Sequence, residues 1–539
     1  MINSTLKFCV AYLILITWNK AGHAEGYGTL ALGIIGGIIV LNQILNKQFW
    51  NKKSLLLYLP ILGILILSVI AWYNPQYRSI TIEDINDLNF EKALTNSQSA
   101  EKVEMITNGI KLVMDQSKKD PSTSLAIFYH FKNSYIDKFI PDKKDSIHAF
   151  LINLENKIKI ENYNFIPSCT VRNPKYFTEI YFILLSIFIG VTLYNKLENK
   201  SQIHFLIWIF LLNCLALTIV GYYQRFTHEW TDNYIEILGI WNAPEPRYYF
   251  STFTYKNHWS AYVILMLFCN IFLLNKEFNN SNFKGYDLLN NKVFLILLII
   301  SLIISSSILF SGSRSGLILL IISMIICCYK FSKFFSYKKL FILKSASRFI
   351  LIICPLLFFI FYTFGKDPKH KEMLTNSISQ WQNFLDGKPP LRFLLWKDTV
   401  EMINHKPLWG WGYKSFSSIY PKYQSSPVRA ERAIGLENAH NPYVPLVAHA
   451  HSDILEYIAE WGFIGTFLVF FPFIFVLGNF LLTKSNPPSS FLGYGCFVFL
   501  LYCFIDFPTR TPACLATFCA IFALSLKYND YANKGRTRF

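Results

Sequence analysis

The apolar residues of this chain are gathered into about a dozen runs, most of them roughly 18–20 residues long, the length a helix needs to cross a bilayer. Inside hydrocarbon every backbone N–H and C=O must find an internal partner, so such runs fold as helices. They fall at about 6–18, 28–46, 54–73, 176–195, 203–223, 258–275, 292–310, 314–330, 347–364, 453–482, 488–506 and 511–527. The composition agrees: of 539 residues, 53% are hydrophobic and only 16% charged, less charge than a soluble protein of this size carries. The pattern predicts an all-α polytopic membrane protein with two large, mainly helical segments outside the spans.

The net charge of +17 raises the question of nucleic acid, and the placement of the basic residues argues against it. Lys330, Lys333, Lys338, Lys339, Lys344 and Arg348 crowd one short loop; Lys47, Lys52 and Lys53 fill another; Lys276, Lys284 and Lys292 a third; Lys534, Arg536 and Arg538 end the chain. These loops alternate along the topology, which is the positive-inside pattern. It places both termini in the cytoplasm and the long segments outside. The first run, with Lys7 before Phe8–Trp18 and Gly22-His23-Ala24 after it, also has the layout of a signal sequence, and is read here as a retained span. Of the 11 cysteines, only Cys169 lies well inside an outside segment, so no disulfide framework is expected, and no Cys/His spacing suits zinc.

The expected organisation is therefore N-terminal spans over 1–73, an extracytoplasmic helical insertion over 74–175, a central bundle over 176–364, a large outside loop over 365–450, C-terminal spans over 451–527 and a basic tail over 528–539. In the insertion, Ile147, Phe150, Leu151, Leu154 and Ile158 recur at helical spacing, and the isolated His130 and His148 read as core or surface residues. In the large loop, Leu391, Leu394, Leu395, Val400 and Ile403 mark an amphipathic helix, followed by a turn at Pro407-Leu408-Trp409-Gly410-Trp411-Gly412. Arg429 and Arg432, with the neighbouring tyrosines, suit sugar rings and phosphates, or lipid headgroups.

Two clusters stand out chemically. Ser313-Arg314-Ser315-Gly316 forms a short outside turn between two apolar helices. An ionisable residue at that depth needs a partner or a function, and a guanidinium beside a helix start suits phosphate. Ala448-His449-Ala450-His451-Ser452-Asp453 runs directly into an apolar span, and imidazole exchanges protons near neutral pH. Either His451 or His449, or the more distant His440, can serve as a base. Asp453, Glu456 and Glu460 lie roughly 140–200° round the helix from His451; Asp453 suits the helix start, and Glu456 and Glu460 a buried ion pair. Further polar groups enter from the same side: Arg225 and Arg247 before Asn257, and Arg510 in the turn Asp506-Phe507-Pro508-Thr509-Arg510.

His451 followed by ten residues and Gly462, within His451-Ser452-Asp453-Ile454-Leu455-Glu456, resembles the signature of the O-antigen ligase/polymerase superfamily. Ser313-Arg314-Ser315-Gly316, Arg392 before Trp396, His405–Gly412 and Asn257-His258-Trp259 resemble other parts of it in the same order; the insertion has no counterpart. The resemblance implies a glycosyltransferase of the bacterial inner membrane, requiring no metal or other cofactor and active on the periplasmic face. It implies a polyprenyl-diphosphate-linked glycan donor, His451 as general base, and Arg314 and Arg392 on the diphosphate. The acceptor would be lipid A core, a growing glycan or a protein hydroxyl. Asp453, Glu456, His449, His440, Arg225, Arg247, Asn257 and Arg510 are supporting candidates. A glycolipid transporter is the rival from another class, and would break its spans near the midplane.

Overall fold

The computed structural model describes residues 3–23, 26–45, 52–97, 99–139, 145–173, 175–227, 236–242, 248–280, 291–335, 382, 390–433, 446–482 and 487–536. The expected span at 347–364, the early part of the large loop, Arg247 and His440 lie outside the described residues. Among those described, the chain is helical apart from one two-residue hairpin pairing Glu236–Ile237 with Trp241–Asn242. Among the described residues, eight helices are long and apolar enough to span a membrane: Tyr27–Leu45, Leu56–Tyr73, Tyr176–Lys196, Lys200–Thr227, Lys256–Glu277, Lys292–Ser311, Asp453–Leu482 and Pro512–Ala532. The runs at 6–18 and 488–506 form the shorter apolar helices Ser4–Trp18 and Pro488–Tyr502. The run at 314–330 lies in the helix Arg314–Phe335, which is not among the eight. The protein is a multi-pass, all-α membrane protein.

Two compact units divide the chain: Met1–Tyr58, Phe182–Gln382 and Pro472–Phe539 make one, Leu59–Tyr181 and Asn383–Phe471 the other. In the first, the helix Lys256–Asn280 is the most enclosed element. Buried donors on it find partners within the bundle: Asn270 Nδ2 donates to the carbonyl of Leu297 at 2.8 Å and to Ser301 Oγ at 2.6 Å, and Trp259 Nε1 to Ser307 Oγ at 3.1 Å. Unpaired, such groups would be costly away from water.

The second unit joins the insertion to the large loop. The insertion is closed at its base by backbone hydrogen bonds from Gln76 to Cys169 (2.9 Å), Tyr77 to Thr170 (2.9 Å) and Ile160 to Gln76 (2.8 Å). Within it, Asp145 caps the helix Ser146–Ile158 by accepting from the amides of Ile147 and His148, and the helix buries Ile147, Phe150, Leu151, Leu154 and Ile158, the set its periodicity picked out. These side chains form one core with Leu395, Met402, Phe416, Ile419 and Tyr420 of the loop. The loop helix Leu391–His405 buries Leu395 and Ile403 and packs Leu391 and Leu394 against the same core, as expected; Val400 is exposed instead, and Asp398 is buried. The Asp398 carboxylate is tolerated there because Tyr420 Oη (2.9 Å), Ser425 N (3.0 Å) and Ser425 Oγ (3.1 Å) donate to it.

An ion-pair cluster crosses the same seam. Glu155 of the insertion accepts from Lys422 of the loop at 2.7 Å, from Lys132, and from Tyr129 Oη at 3.1 Å. Burial alone would raise the Glu155 pKa, but hydrogen bonds and charge from the two ammonium groups outweigh it and pull the value down from 4.5 to about 2. A folded-state pKa below the ordinary one contributes stability above the ordinary value and loses it as pH falls toward the folded value. Near-UV circular dichroism should therefore hold constant above about pH 4.5 and decay as the pH approaches 2. Lys422→Met should move that decay to higher pH.

Candidate functional site

His451 sits at the start of the helix Asp453–Leu482 with φ +53°, a left-handed conformation uncommon outside glycine. The backbone on both sides is tied down. Ser452 acts as the cap: its Oγ accepts from Leu455 N at 3.4 Å and its carbonyl from Glu456 N at 3.0 Å. Asp453 opens the first turn fully buried, where the helix dipole favours a carboxylate. Glu456, also buried, reaches back past the cap: Oε2 accepts from Ala450 N at 3.0 Å and Oε1 from His449 Nδ1 at 3.0 Å. From the loop helix, Trp396 Nε1 donates to the carbonyl of Ala450 at 3.1 Å. Arg392 lies one turn earlier on that helix, on the same face as Trp396. The fold thus gathers His451, His449, Asp453, Glu456 and the Arg392 helix at one place.

Ten residues into the same helix, Gly462 has φ +67° and ψ −179°, which breaks the helical path. The backbone groups released there are taken up by the turn at Pro407–Gly412. Phe463 N donates to Pro407 O (2.8 Å) and Ile464 N to Leu408 O (3.2 Å), while Trp411 N donates to Ala459 O (2.9 Å) and Gly412 N to Glu460 O (2.7 Å). Glycine is required on both sides: a Cβ at Gly462 would stand 2.2 Å from Leu408 O, and one at Gly410 2.5 Å from Glu460 O. Glu460 Oε1 accepts from Phe416 N at 3.4 Å, at the start of the helix Phe416–Tyr423. The break departs from the continuous span read in the sequence. It is filled by protein backbone, not open as at a transporter's ion site.

Arg429, one of the two basic residues assigned to sugars or headgroups, is bound to Asp137 of the insertion at 2.6 Å, and Arg432 donates to Leu446 O at 3.3 Å.

The other unit holds Arg314. Gly312, at φ +71°, ends the helix Lys292–Ser311, and Ser313 caps the next helix by accepting from Gly316 N at 3.0 Å. Ser313 Oγ also donates to Asn257 Oδ1 at 2.7 Å, and Ser315 Oγ pairs with Tyr502 Oη at 2.8 Å. Asn257 Nδ2 completes the network on Asp506 Oδ2 at 2.6 Å. Gly316 is needed because a Cβ would meet Ser260 Oγ at 2.4 Å. The two serines pin the turn from below, and Arg314 between them is exposed at the first position of the helix. A guanidinium beside helix N-terminal amides can hold a phosphate group. Asn257 thus supports the turn. Arg225 donates to the carbonyls of Tyr249 (3.2 Å) and Ser311 (3.5 Å), and Arg510 is buried in the short turn Pro508–Arg510. The residues that sequence reasoning missed are Trp396, as a partner of the histidine segment, and Asp398; the Arg392-to-Trp396 spacing was the available signal for the first.

A search of curated proteins found no match to the chain. Residues 296–470 match the family model described as O-antigen ligase, a stretch that contains Arg314, Arg392, His451 and Gly462. The match covers less than half of the chain; it makes this stretch similar to the O-antigen ligase family and supports the resemblance to the O-antigen ligase/polymerase superfamily.

Proposed function

We propose that this protein is a glycosyltransferase of the bacterial inner membrane that moves a glycan from a polyprenyl-diphosphate donor to an acceptor hydroxyl on the periplasmic face. The observation that carries the reading is His451: an imidazole held in a strained conformation at a helix start, inside the segment that matches the O-antigen ligase family. Strain of this kind clusters at active sites. A sugar hydroxyl is a poor nucleophile, so His451 takes its proton as the oxygen attacks the anomeric carbon. The bond from that carbon to the diphosphate breaks, and Arg314 and Arg392 offset the charge that grows on the leaving group. No nucleotide or metal is required by this chemistry. Lipid A core and a growing glycan are the leading acceptors, with a protein hydroxyl behind them.

Purified protein in proteoliposomes, given polyprenyl-diphosphate glycan and each acceptor in turn, tests the proposal; product with none of them would overturn it. In the same assay Arg314→Lys should lower transfer by about 10-fold or more, because a point charge replaces a two-pronged contact. Activity equal to wild type would remove Arg314 from the diphosphate.

A further inference from the structure

We infer that Glu456 and Trp396 are positioning residues that together set the backbone of the proposed base, an inference that rests on the reading of His451 given above. Ala450 lies between two planar peptide groups, and each is fixed by a different side chain. The plane before it is held through Ala450 N–H on Glu456 Oε2 at 3.0 Å, the plane after it through Ala450 C=O on Trp396 Nε1 at 3.1 Å. Peptide planarity transmits each bond to the whole plane. Downstream, the Ser452 carbonyl is committed to Glu456 N at 3.0 Å. His451 is the residue that must join these fixed ends, and it does so at φ +53°. The left-handed conformation is thus imposed by flanking contacts.

Two further features show that the grip is built in. The Glu456 side chain is 1% exposed and also takes His449 Nδ1 at 3.0 Å, so its carboxylate cannot swing away without giving up both hydrogen bonds. Trp396 comes from the helix Leu391–His405, which is anchored in the core through Leu395, Met402 and Ile403. The loop helix that carries Arg392 therefore also aims the imidazole. This coupling would place base and diphosphate ligand on a common support, as a reaction sensitive to ångström misplacement requires.

The test compares Glu456→Ala, Glu456→Gln and Trp396→Phe with His451→Asn in the full-length protein. Two readouts are used: transfer kinetics on polyprenyl-diphosphate glycan, and hydrogen exchange of the Ala450 amide. Glu456→Ala should speed exchange at Ala450 and lower kcat by roughly 10–100-fold with donor KM nearly unchanged. Glu456→Gln, whose amide oxygen still accepts from Ala450 N–H, should restore most of kcat. Trp396→Phe keeps an aromatic side chain while removing the N–H donor with the pyrrole part of the indole, so it carries the test if Glu456→Ala fails to fold, and it too should lower kcat. Wild-type kcat in Glu456→Ala or Trp396→Phe, with His451→Asn inactive, would overturn the positioning role alone. Wild-type transfer in His451→Asn would overturn the reading of the base, and the inference with it.

Discussion

Replacing His451 by asparagine should cut glycan transfer by roughly 10²–10⁴-fold, the range expected when a general base is lost, and leave the fold intact. Asparagine is the sharper choice than alanine at this position. The residue sits at φ +53°, and asparagine enters left-handed conformations more readily than other residues with a Cβ. It keeps the backbone path between Ala450 and Ser452 and removes only the imidazole. Donor binding should survive, because the proposed diphosphate ligands, Arg314 and Arg392, are untouched. Thermal stability in detergent and binding of the polyprenyl-diphosphate glycan should therefore match wild type while turnover collapses. A variant that turns over normally would move the base elsewhere, with His449, held on Glu456 at 3.0 Å, the next candidate.

How far each feature could be read from the chain depended on how local its cause was. The spans follow from hydropathy alone, and the helix Ser146–Ile158 from periodicity, because both are decided by residues within a few turns of one another. The serine–arginine turn could be found for the same reason. The partners of Glu456 were not legible: a buried carboxylate on an apolar helix suggested an ion pair, but not that it folds back over the cap to His449 and the Ala450 amide, residues that are not helical. The burial of Asp398 was not legible either, because its three donors come from Tyr420 and Ser425, beyond an intervening turn. The insertion offers the largest gap. Its core partners, such as Met402 and Tyr420, lie hundreds of residues away, and no pattern internal to 74–175 announces them. Because the core is shared, removing 80–165 would strip packing from the loop helices.

Gly462→Ala should destabilise the protein by about 3–5 kcal/mol, a large share of what a folded unit has to lose. Two costs add. At φ +67° and ψ −179° the backbone occupies a region that is almost exclusive to glycine. The new methyl would also stand 2.2 Å from Leu408 O and 2.3 Å from Leu408 C, atoms of a backbone that cannot rotate out of the way. Relief requires the turn at 407–412 to withdraw, and that forfeits four backbone hydrogen bonds, from Phe463, Ile464, Trp411 and Gly412. Trp461, stacked between Tyr413 at 5.4 Å and Tyr457 at 4.9 Å, would lose its partner from the loop as well. Hydrogen exchange over 407–413 should accelerate and the melting temperature fall. Gly478→Ala is the matched control: it lies on the same helix, a Cβ there meets nothing within 4 Å, and alanine is the better helix former. It should be neutral or slightly stabilising. Equal melting temperatures for the two variants would mean that the loop does not depend on the break at Gly462.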